Sequence, residues 1–159
     1  MSDFAFAAPF GVEVIQEILP HRYPFLLIKK KKKMEDAHIE GTKNLTVNEP
    51  FFQGHFPGQP VYPGALQVES IAQLGAVWIL SKRENLGKTA YLMTVELAKF
   101  RRPAVPGDSL KLEGNVTNLK SRTGRFVGRI SVEDKVISEI VVTFAFQKHE
   151  AKSGRLAES

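Results

Sequence analysis

Gly54-His55-Phe56-Pro57-Gly58-Gln59-Pro60-Val61-Tyr62-Pro63-Gly64, followed at once by Ala65-Leu66-Gln67-Val68-Glu69-Ser70-Ile71-Ala72-Gln73-Leu74, is the stretch on which the reading of this chain turns. Its three prolines fix three φ angles and remove three backbone donors, so the first half is neither a helix nor a central strand. It is a stiff loop. The second half is an apolar run of helical length that starts just after Pro63-Gly64 and carries a carboxylate. A histidine on a rigid loop is therefore followed, fourteen positions later, by a glutamate on a buried helix.

Continued to about Lys82, that run places Leu66, Val68, Ile71, Ala72, Leu74, Val77, Trp78, Ile79 and Leu80 on nearly every face of the helix. A helix apolar all round is surrounded by protein. What surrounds it is predicted to be sheet, because alternating, β-branched segments follow over Thr89–Arg101, Ser109–Leu119, Gly124–Val132 and Val136–Gln147. Turns fall at 103–108, 120–123 and 133–135. On the N-terminal side, residues 1–11 read as a loosely held arm. Val12–Leu19 has Val14, Ile15, Ile18 and Leu19 on one face and reads as a short helix ended by Pro20. Phe25–Ile28 is a short buried-strand candidate, and Ala37–Val47 a second strand. The expectation is an α+β domain over 12–147, with the last four strands as an antiparallel meander around one long central helix, and a polar tail over 148–159. Such a sheet leaves edges that a homodimer would cover.

Composition narrows the function classes. The chain has 159 residues and no cysteine, which removes disulfides, thiolate catalysis and cysteine-ligated metals. The first dozen residues lack Lys and Arg and contain Pro9, unlike a secretory signal, and no apolar stretch reaches membrane-span length. A cytoplasmic protein that binds neither membrane nor nucleic acid is expected. The net charge of +5 equals the five lysines of Lys29–Lys33, so the basicity is local. That run reads as a solvated edge, and no aromatic residues are interleaved with it for base stacking.

Three groups could carry chemistry. His55 lies between a glycine that permits close approach and a Phe-Pro-Gly that limits drift, which suits a catalytic base better than an ordinary loop histidine. Glu69 is a carboxylate about one turn into an apolar helix, with Gln73 one turn further on as a hydrogen-bond partner. It reads either as a structural Glu-Gln pair or as a general acid. The Gly64 amide sits where a helix's first donors lack partners and can meet a carbonyl oxygen that gains charge. A base, an acid and an oxyanion donor suit elimination next to a carbonyl. His38 and His149 are assigned to solvent or structure, and His21-Arg22-Tyr23-Pro24 to a helix-to-strand connector. No His/Asp/Glu set has metal-ligand spacing, and there is no phosphate loop.

Several blocks, in this order and spacing, resemble one family: His21-Arg22-Tyr23-Pro24-Phe25-Leu26-Leu27, Asn48 to Gly58 with its Gly-His-Phe-Pro, Pro63-Gly64-Ala65-Leu66, Glu69, Ala72-Gln73, Lys99-Phe100-Arg101 and Pro106-Gly107-Asp108. They are similar to the FabZ-type (3R)-hydroxyacyl-acyl carrier protein dehydratases, from about Val12 to Phe146. The resemblance implies a hot-dog fold, an antiparallel sheet around a central helix, in dimers that assemble as a hexamer. It implies that His55 is the base, that Glu69 of the other subunit is the acid, and that the Gly64 amide holds the thioester carbonyl. Phe56, Pro57 and Gln73 would line the substrate, with Tyr91 at the mouth of the acyl tunnel. The substrate would arrive on phosphopantetheine from an acidic acyl carrier protein, with Lys99, Arg101 and Arg102 as docking residues and no metal or redox cofactor.

Three departures stand out: Lys29-Lys30 where the family has Asp-Arg, Tyr62 for methionine, and Gln67 for an aliphatic residue. The glutamate at position 69 favours simple dehydration over the related dehydratase-isomerases, which have aspartate there. The alternatives weighed are a hot-dog thioesterase and a non-catalytic acyl-binding module.

Overall fold

The long helix α2 (Gly64–Leu80) forms as its apolar content requires, and every residue from Ser70 to Leu80 is buried. Pro63 sets its start in extended geometry. At the other end the Ser81 hydroxyl donates to the Val77 and Trp78 carbonyls and the Asn85 amide to that of Ile79, so these three carbonyls of the last turn are satisfied inside the fold. Before it come α1 (Val12–Ile18), β1 (Lys30–Met34) and β2 (His38–Asn44); after it come β3 (Lys88–Phe100), β4 (Ser109–Leu119), β5 (Thr123–Val132) and β6 (Lys135–Lys148). This is a computed structural model describing residues 3–148. Residues 149–159, with His149 and all of the predicted tail except Lys148, lie outside the described residues.

The six strands form one antiparallel sheet in the order β1-β2-β4-β5-β6-β3, wrapped around α2 as the hot-dog expectation required. Leu110, Leu112, Phe126, Ile130, Ile140, Val142 and Phe144 are buried in the core cluster with α2. Close approach depends on Gly75, where a Cβ would stand 2.8 Å from ring atoms of both Phe126 and Phe144. The predicted meander of four strands is corrected. Only β4-β5-β6 is one, because β2 and β5 occupy both edges of β4 and β3 instead pairs with β6 at the far edge. That edge strand is exposed from Tyr91 to Phe100, on both faces and largely apolar.

Two N-terminal expectations also change. Residues 3–11 are docked rather than loose: Phe4 packs edge-on against Trp78 at 5.5 Å, the Ala5 amide donates to the Ser81 carbonyl, and Phe10 is buried. The first strand is the lysine run itself, not Phe25–Ile28. As an edge strand paired with β2 it is blunted by exposed lysines, and a bulge falls between Lys31 and Lys33. Strand alternation turns Lys31 inward, where it is fully buried beneath the Phe10 ring at 5.0 Å, with no hydrogen-bond partner for its ammonium among the described residues.

Burial lowers the Lys31 pKa from 10.5 to about 8, and this sets a testable sign. The unfolded chain holds the proton up to the higher pH, so stability from this group rises as pH increases from about 8 to 10.5. The cost is full below that window. Lys31→Met, which keeps the volume and removes the charge, is expected to raise the urea midpoint at neutral pH by roughly 1 kcal/mol of stability or more. The advantage should shrink as the titration is repeated toward pH 10.5, the unperturbed lysine value.

Candidate active site

His55 owes its position to its own loop. Its amide donates to the Phe51 carbonyl at 3.1 Å, its carbonyl accepts from the Val61 amide at 2.9 Å, and its ring stacks on Phe56 at 4.0 Å. The Nδ1 atom lies 2.8 Å from the Val61 carbonyl. A carbonyl only accepts, so Nδ1 carries the proton, and in the neutral ring Nε2 is left with its lone pair free. The loop therefore presents a base at one defined nitrogen. Phe56 and Pro57 flank it in the open, and the peptide between His55 and Phe56 is cis.

Tyr62 closes the loop onto the helix. It is fully buried, its amide donates to the Ala104 carbonyl, and its hydroxyl is 2.6 Å from Ser70 Oγ. Burial pushes the phenol well above its usual pKa, so it stays neutral as a structural anchor. The Gln67 amide donates to the Tyr62 carbonyl, so both residues that depart from the family pattern serve this corner. Immediately after it, the helix opens with the Leu66 and Gln67 amides bonded to the Pro63 carbonyl. The Gly64 amide donates to nothing among the described residues. A Cβ on Gly64 would stand 2.9 Å from the Phe100 ring of β3, so the helix start lies directly beneath the edge strand.

Glu69 is partly buried and accepts at Oε1 from Gln73 Nε2 at 3.0 Å, the partner that helical spacing predicts. Gln73 also donates to the Phe25 carbonyl at 2.7 Å and accepts from the Leu27 amide at 2.8 Å. It thereby ties the helix to the connector after α1. A residue the sequence reading left as connector joins them: His21 Nε2 is 3.4 Å from the same Oε1. Its signal in the sequence is its place at the head of the His21-to-Leu27 block of the family resemblance, which assigns it no role. Together with Ala72, Ala76, Ala90, Leu92 and Phe144, these three side chains line a cavity of about 30 Å³.

Within one chain, His55 and Glu69 share no hydrogen bond among the described residues, and His55 does not line the Glu69 cavity. The remaining candidates spread along β3. Tyr91 is half-exposed and lines a separate groove with Arg22, Lys88 and the end of α1. Lys99 is exposed, and Arg102 follows the strand in the open. Arg101 is held by Glu139, which accepts from its Nη2 at 2.6 Å and its Nε at 3.1 Å.

The register of β2 against β4 creates a cluster that spacing alone did not reveal. His38, Glu40 and Glu113 bring their ligand atoms within 4.8 Å of one another. Glu113 is already neutralised by Arg129 at 2.7 Å and Lys111 at 3.6 Å, and His38 faces Glu40 at 3.1 Å and Asn115 at 3.0 Å. The cluster reads as an ion-pair network on the outer face of the sheet.

Comparison with solved structures places the fold. A dehydratase heterocomplex from Xenorhabdus doucetiae superposes with a TM-score of 0.74 at 19% identity, covering 90% of this chain and 93% of that one. A mutant thioesterase from Pseudomonas aeruginosa gives 0.66 at 15% identity, over 91% and 98%. Sequence relatives are much nearer. The 3-hydroxyacyl-[acyl-carrier-protein] dehydratase FabZ of Clostridium novyi is 48% identical over 87% of this chain and 98% of its own length. The protein of that name from Desulforamulus reducens is 46% identical over 84% and 95%. A family model described as a FabA-like domain matches residues 19–141. On that model and on relatives matched along nearly their whole length, this chain, with its histidine loop and its partly buried helical glutamate, belongs to the FabZ family of FabA-like hot-dog proteins.

Proposed function

We propose that the protein dehydrates (3R)-hydroxyacyl-acyl carrier protein to the trans-2-enoyl thioester in fatty acid synthesis, acting in the cytoplasm. The observation that carries the reading is the His55 ring: Nδ1–H is tied to a backbone carbonyl, and Nε2 makes no hydrogen bond among the described residues. That nitrogen removes the α-proton, which the neighbouring thioester has made acidic. The charge passing to the thioester oxygen meets the unpaired Gly64 amide at the start of α2, where the helix dipole adds to it. Glu69 of the partner subunit gives its proton to the β-hydroxyl, which leaves as water.

The exposed edge of β3 supports the two-chain assignment. A largely apolar edge segment exposed on both faces from Tyr91 to Phe100 is an aggregation site unless a second copy covers it. Antiparallel pairing of two such strands about a two-fold axis brings the Phe100 end of one, beneath which Gly64 sits, toward the Leu92 end of the other, beside Glu69. A hexamer of three such dimers, substrate delivery by acyl carrier protein to Lys99 and Arg102, and Tyr91 at the tunnel mouth complete the proposal.

The test is a spectrophotometric assay of enoyl-thioester hydration by the purified protein, comparing carrier-protein and coenzyme A forms. Loss of enoyl absorbance, faster with the carrier protein, is the expected result. Release of free thiol from acyl thioesters with no hydration would instead make it a thioesterase.

A further inference from the structure

Glu69 presents two oxygens, and the chain treats them differently. Oε1 receives the Gln73 amide at 3.0 Å and faces His21 Nε2 at 3.4 Å, whereas Oε2 receives no hydrogen bond among the described residues. His21 is itself unusual: its Nδ1 is buried and has no hydrogen-bond partner among the described residues. In the neutral ring, the tautomer with its proton on Nε2 leaves no orphan donor at Nδ1 and puts the N–H on the nitrogen 3.4 Å from Glu69 Oε1. A neutral donor orients a carboxyl group without the pull of a full positive charge. Stacking on Phe25 at 6.3 Å and the Gln73 bonds to the Phe25 and Leu27 backbone keep the histidine segment against the helix.

We propose that His21 is a positioning residue: with Gln73 it makes Oε1 the accepting oxygen of Glu69, so that the carboxyl proton resides on Oε2, the oxygen that faces the substrate. In the elimination the C–O bond breaks with its electron pair on the departing oxygen, Oε2 passes it the proton, and Glu69 is left as carboxylate. His21 forms and breaks no bond. This rests on the acid role given to Glu69 above, and the test separates the two.

Steady-state dehydration is measured for His21→Ala, His21→Gln, His21→Asn, Glu69→Gln and the His21→Ala/Glu69→Gln double variant, with oligomer size and thermal midpoint followed for each. Glutamine can place an N–H where Nε2 stands; asparagine is too short to do so. The expected result is a fall of about 10- to 100-fold in kcat for His21→Ala and His21→Asn, as for loss of a group that orients a catalytic acid. KM should change little, His21→Gln should recover most of kcat, and adding His21→Ala to Glu69→Gln should have no further effect. Undiminished kcat in His21→Asn, or equal losses for His21→Gln and His21→Asn in folded protein, overturns the proposal. So does a full additive loss in the double variant. If Glu69→Gln alone keeps wild-type turnover, the acid role of Glu69 fails first and takes this inference with it. Should His21→Ala not fold, the Gln and Asn pair decides.

Discussion

Gly75→Val is expected to cost about 3 kcal/mol of stability or more, at the upper end of what overpacking a core does. The added Cβ alone would lie 2.8 Å from Phe126 Cγ and from Phe144 Cζ. Both rings are buried, and Cγ is the root of its ring, so Phe126 cannot swing aside without moving its backbone. The helix must lift from β5 and β6, opening the core that the rest of the chain is wrapped around. Valine's better helix propensity returns only about 0.5 kcal/mol, so the clash decides the sign. Urea denaturation followed by circular dichroism measures the loss. Gly54→Ala is the control, because nothing lies within 4 Å of a Cβ there and its φ is not in the left-handed region. A Gly75→Val midpoint within experimental error of that control would mean that helix and sheet are not packed as described.

The same close packing explains what could be read in advance. The apolar content of α2 and the alternation of β4, β5 and β6 are local signals, and they located these elements to within a residue or two. The place of β3 was not local. Its pattern resembles that of its neighbours, and only the occupation of both β4 edges by β2 and β5 sends it to the far edge. Lys31 misled for a related reason: five lysines read as solvent-facing, but in a strand every second side chain turns inward. Of the site, Gln73 was legible because it is one helical turn from Glu69. His21 was not, since its approach depends on how the connector after α1 folds back against α2, forty-eight positions away in the Glu69-His21 contact.

His55→Ala and Glu69→Gln are each expected to lower turnover by about 10²- to 10⁴-fold, the range for removing a general base or acid. The two inactive proteins should nevertheless rescue one another. If the base of one chain works with the acid of the other, a dimer built from one chain of each kind contains one site with both mutations and one with neither. Unfolding and refolding an equal mixture makes about half of the dimers mixed, so about a quarter of the wild-type sites return. A site formed within one chain predicts no recovery at all, because each chain would then carry its own defect into every assembly. The measurement is enoyl-thioester hydration before and after refolding, with refolded single variants as blanks. Among the described residues His55 hydrogen-bonds only within its own loop and the Glu69 side chain only to Gln73, with His21 Nε2 3.4 Å away, and the two share no hydrogen bond within one chain. The apolar edge of β3, which lies over Gly64 at one end and beside the Glu69 cavity at the other, is what would bring two such halves together. Recovery near a quarter would make assembly a condition of catalysis, and no recovery would return both residues to a single chain.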